Sequence, residues 1–65
     1  MNRGSDHAEL ATLRSQLTEL TERVVIVAER YDGTPDSAIA SDLFTVERQL
    51  VSARRAIERA VRALA

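Results

Sequence analysis

Apolar residues recur along this chain at spacings that alternate three and four, and the pattern is interrupted once. From Leu10 they fall at Leu13, Leu17, Leu20, Val24, Val27 and Tyr31; they resume at Ile39, Leu43, Val46, Leu50, Ala53, Ile57, Ala60 and Leu64. Neither series contains a charged residue. A sustained 3-4 alternation repeats every seven residues, close to two helical turns, so it draws one narrow stripe along a helix. The spacing therefore predicts two helices, each packing along its stripe.

The punctuation agrees with that division. Asp6, followed three residues later by Glu9, has the form of a capping box at the start of the first helix. Tyr31-Asp32-Gly33 ends it, because glycine tolerates the left-handed conformation common after a helix C-terminus. Thr34-Pro35-Asp36 reads as the start of the second: a hydroxyl cap, proline in the first turn, and an acid at the positive dipole end. A connection this short folds the helices back antiparallel. The expected architecture is all-α, a coiled-coil-like two-helix hairpin. It has a flexible segment at 1–5 and a hairpin over 6–65: helix 1 about 6–32, a turn at 32–35 and helix 2 about 35–64. Helices of roughly 25 to 30 residues span about 40 Å at ~1.5 Å per residue.

Sixty-five residues allow one small domain, and a pair of helices buries little apolar surface on its own. The chain carries more apolar residues than its two stripes use. Val25 and Ile26 on helix 1, and Ala40, Phe44, Val51 and Val61 on helix 2, lie beyond them. With the turn near Thr34, Val25 and Ile26 come level with Phe44, and a contiguous apolar patch of this kind marks an interface. The simplest cover is a second copy, closing a four-helix bundle by a two-fold axis. Val25, Ile26, Leu43, Phe44, Leu50 and Val51 are the expected interface residues, with Ala53, Ala56, Ala60 and Ala63 allowing close helix approach at the other end.

The residues for catalysis are few. Cysteine is absent, which removes disulfides, thiolate metal sites and thiol nucleophiles. His7 is the single histidine and sits in or beside the first turn. Ser15, Ser41 and Ser52 have no neighbouring His or Lys to activate them, and Gly4 and Gly33 make no phosphate-binding loop. A di-metal bundle needs inward-facing Glu and Glu-x-x-His pairs, whereas both stripes here are apolar. The reading is a non-enzyme without cofactor or metal.

Nine basic residues, all arginine, stand against ten acids, for a net charge of -1. The balance is uneven along the chain: four Arg against seven acids through Asp36, then five Arg against three. Arg48, Arg55 and Arg62 repeat every seven residues on helix 2, with Arg54 and Arg59 beside them; Glu19, Glu22 and Glu29 line the outer side of helix 1. Such a stripe can hold phosphate or an acidic partner. It is equally the pattern of a solvated face on which Glu58 bridges Arg54 and Arg62. Arg14 and Arg54 fall at one level on opposite helices, a like-charge meeting that an acid or a bound anion relieves. With two aromatic residues, Tyr31 and Phe44, a base-stacking platform is poorly supplied.

The segment Ser52-Ala53-Arg54-Arg55 loosely resembles the Ser/Arg portion of the actinobacterial anti-sigma hairpins that bind cyclic di-GMP. That family's motif also carries Glu upstream and Gln and Asp downstream at fixed spacing. The matching positions here are Arg48, Arg59 and Ala63, so the nucleotide contacts do not carry over, and no family is assigned. The sequence leads to a small helical interaction module that self-associates and acts as a structural or regulatory adaptor for a larger protein. A nucleic-acid-associated protein using the helix 2 arginines is the alternative. A polar start and the lack of a long apolar run lead to a cytoplasmic location as the expectation, with no membrane partner.

Overall fold

A computed structural model describes residues 2–65. Two helices, α1 (Arg3–Tyr31) and α2 (Ser37–Leu64), fold back antiparallel into a rod of 51 × 14 × 13 Å. Helix α1 starts at Arg3, ahead of the expected Asp6, because Asn2 caps it: its side-chain oxygen accepts the Ser5 N–H at 3.0 Å. Asp6 then lies inside the first turn, where its charge faces the positive end of the helix dipole. The Arg3 guanidinium donates to the Ala63 carbonyl at 3.1 Å, tying the first turn of α1 to the last turn of α2.

The connection is built as the residue types predict, with one displacement. The Asp32 amide closes α1 on the Ala28 carbonyl at 3.1 Å, and Gly33 follows at φ +73°. The Thr34 hydroxyl donates to the Tyr31 carbonyl at 2.6 Å and accepts the Asp36 amide at 3.2 Å, which braces the turn; the N-cap of α2 is Asp36, without a side-chain cap bond, and not the expected threonine. The Ser37 amide bonds the Thr34 carbonyl at 3.1 Å, three residues back. That tighter bond makes Thr34–Ser37 a separate turn, and α2 begins at Ser37 instead of Pro35. Nothing lies within 4 Å of a side chain added at Gly33, so Gly33→Ala meets only the backbone cost of positive φ. It is expected to destabilise the fold by about 1 kcal/mol, read from urea unfolding at matched protein concentration.

The helices meet along only one edge of each apolar stripe, where Leu10, Leu17 and Val24 on α1 and Leu43, Val46, Leu50 and Ile57 on α2 are half-buried. On α1, cover follows a line through Arg14, Thr21 and Ala28, while Leu13, Leu20 and Val27 stay exposed. On α2 it follows Ala40, Glu47, Arg54 and Val61, while Ile39, Ala53 and Ala60 stay exposed. Each covered residue is one position past its exposed neighbour, a rotation of ~100° about the helix axis. The stripes expected to form the seam are thus turned toward one side of the hairpin. Leu17, Val24, Leu43, Leu50 and Ile57 stand at the boundary, half-buried.

Small residues set this packing. Ala28 is 0 % and Ala40 2 % exposed, so the backbones approach closely beside the turn. Thr21 follows at 8 %, its hydroxyl satisfied by the Leu17 carbonyl at 2.7 Å. Among the described residues, no large side chain is fully buried. The expected close approach at the far end is not made within the hairpin, where Ala53, Ala56, Ala60 and Ala63 are all exposed. A seam of alanine, threonine and half-covered arginine removes little apolar area from water, and at ~25 cal/mol per Å² that area is the main source of stability.

Candidate interaction surface

The displaced stripes converge on one lateral face. Leu13, Leu17 and Leu20 meet Ile57 across an open groove of about 280 Å³, with Gln16 on its rim. Toward the turn, Leu20, Val24 and Val27 meet Leu43 across a second groove of about 270 Å³, rimmed by Arg23. Leu20 belongs to both, so the two form one trough along the hairpin. Its walls are almost wholly apolar, and Leu20 is 45 % exposed. Isolated exposed leucines are ordinary, but a continuous trough of them is not, because each leaves apolar area in water without relief.

The residues expected to form an interface divide over this geometry. Leu43 lines the trough, and Leu50, seven residues on, falls on the same line of α2. Val25, Phe44 and Val51 are each one residue past a trough-side position. They lie across the covered seam from Leu20 and Val27, on the opposite flank, and are half-buried there. Ile26 points away from both flanks and is 52 % exposed. Periodicity holds the signal that Leu13, Leu20 and Val27 share a face, but not that this face is exposed.

Charged groups keep off the trough and surround it. Arg48, Arg55 and Arg62 are exposed about 200° around α2 from Val46, Ala53 and Ala60, facing away from it. Arg48 donates to the Thr45 hydroxyl at 3.0 Å. Arg59 is exposed on the outer side. Arg14 and Arg54 occupy the seam, half-buried. Arg54 Nε lies 3.6 Å from Glu58 Oε1, too long for a hydrogen bond, and that nitrogen has no other partner. Both side chains are about a third exposed (30 % and 34 %), so this i,i+4 pair contributes a few tenths of a kcal/mol, on the order of 0.3. Arg54–Glu58 is the one ion pair among the described residues, and the bridge from Glu58 to Arg62 is not formed.

Among the described residues, no three metal-ligating side chains cluster, and no helix is long and apolar enough to cross a membrane. The described residues form a small all-helical module, held by packing of one helix on the other. Comparison with family models, curated proteins and solved structures finds no match to it.

Proposed function

We propose that this chain is a non-catalytic interaction module whose trough is closed by a second copy, giving a four-helix bundle that serves a larger protein as a structural or regulatory adaptor. One observation carries the reading. The large apolar side chains are rotated by about one residue from the seam, leaving Leu13, Leu20, Val27 and Ile39 exposed on one side. A two-helix coiled coil points its stripe at its single neighbour. In a four-helix bundle the stripe points at the bundle axis, between two neighbours, and this hairpin has that geometry.

The dimensions set the extent of the contact. The whole rod is 51 × 14 Å in outline, so an interface of roughly 800 Å² per partner takes contact along its full length. Sedimentation equilibrium over a wide concentration range tests the reading: a dimer mass is expected down to micromolar chain. A folded monomer at all concentrations ends it.

A second reading has its own support. Arg48, Arg55 and Arg62 lie on the side of α2 away from the trough, so a bundle leaves them open to an acidic protein or to phosphate. Binding of a duplex oligonucleotide that falls steeply with salt, and falls again in Arg48→Gln with Arg55→Gln, is the result expected for a nucleic-acid role. No binding at low salt rejects it.

A further inference from the structure

Residue sizes along the trough favour one arrangement of the two copies. The Leu43 and Val24 side chains share a groove, and Arg3 reaches Ala63 at the far end, which sets the register of the hairpin. By that register Val27 is level with Ile39, Leu20 with Val46, and Leu13 with Ala53. Along α1 the outermost trough residues grow away from the turn, from Val27 to Leu20 and Leu13. Along α2, on the line one turn from the trough-lining Leu43 and Ile57, side chains shrink in the same direction, from Ile39 to Val46, Ala53 and Ala60.

A two-fold axis lying in a face-to-face interface has two choices. Running along the helices, it keeps both turns at one end, lays each α1 over the α2 of the second copy, and leaves every level facing itself. The large end of α1 then meets the small end of α2: Leu13 on Ala53, Leu20 on Val46, Val27 on Ile39. The layer has even thickness, as close packing requires. Running across the helices, the axis puts the turns at opposite ends and lays α1 on α1. Leu13 then stacks on Leu20, while alanines face Val46 and Ile39 on the α2 side. That layer is a wedge, thick along α1 and thin along α2.

We infer that the second copy docks with its turn beside this copy's turn, α1 over α2, an arrangement that rests on the dimer reading above. The rim agrees: Arg23, which borders the trough, comes level with exposed Asp42 of the second copy, once on each side. The bundle then carries both turns at one end and all four termini at the other, with the two arginine stripes on opposite outer faces.

The chain has no cysteine, so single spin labels can be placed without other changes. Asp32→Cys marks the turn and Ala65→Cys the C-terminus, both exposed. With neighbouring helix axes ~8–10 Å apart, pulsed dipolar spectroscopy is expected to give a label separation below about 30 Å at both sites. Sedimentation on the same labelled samples reports whether the dimer is present. A dimer with separations near the 51 Å length of the rod overturns the orientation and leaves the dimer standing. A monomer overturns both. As a second readout, Arg23→Asp is expected to weaken the dimer about two- to fivefold, and adding Asp42→Arg to restore it. Failure of the double variant to recover counts against the pairing of α1 with α2.

Discussion

Leu20→Glu is expected to leave the chain monomeric at concentrations where the unaltered chain is dimeric, raising the dissociation constant by more than about a hundredfold. Leu20 is the residue common to both parts of the trough and is 45 % exposed in the single hairpin. A glutamate there keeps its carboxylate in water while the hairpin is alone, so it costs the isolated chain little. In the two-fold dimer the same change enters twice, at the centre of the contact, and each carboxylate loses its hydration without an apolar surface repaying it. Ile26→Glu is the matched control. Ile26 is more exposed, at 52 %, but points away from the trough, and its replacement is expected to leave the mass unchanged. Sedimentation of the two variants checks both. If Ile26→Glu dissociates the dimer and Leu20→Glu does not, the copies meet on the outer face of α1 around Ile26 instead.

Ala28→Leu is expected to destabilise the protein by about 1–3 kcal/mol, the usual cost of inserting extra carbons into a packed contact. Ala28 is 0 % exposed and Ala40 2 %, the two most deeply buried apolar residues of the contact between the helices. Three added carbons at Ala28 must force the helices apart beside the turn, which strains the hydrogen bonds that Thr34 makes to Tyr31 and Asp36. Helix propensity does not explain the loss, since leucine is nearly as favourable as alanine. Ala38→Leu, an exposed position in the first turn of α2, supplies the comparison and is expected to change stability by less than about 0.5 kcal/mol. Urea unfolding followed by circular dichroism at equal chain concentrations measures the difference.

Some residues announce their roles locally and others do not. Gly33 could be assigned from its place after an apolar-periodic segment, because positive φ is cheap for glycine alone, and it is found at +73°. Asn2 was missed as the cap of α1 because Asp6 and Glu9 offer a stronger pattern four residues later; both fit helical geometry, and the outer one starts the helix. Thr21 and Glu47 are not legible as seam positions because polar residues at helix contacts carry no apolar signal, whereas Arg14 is legible through its level with Arg54. They fall there because Ala28 and Ala40 admit close backbones, and the rest of the contact line follows by sevens.

The sequence by itself determined two helices, one turn between them, their antiparallel return, and the existence of a leucine stripe on each. Those are matters of local conformation and of period, which neighbouring residues settle among themselves. The direction in which the stripes look was decided only in three dimensions. A repeat of seven states that apolar residues share a face; it does not state whether that face meets the covalently joined helix or a separate molecule. Here the small residues at Ala28 and Ala40 take the contact within the hairpin. The larger side chains that cannot fit so close an approach are turned out along one side, where they form the trough.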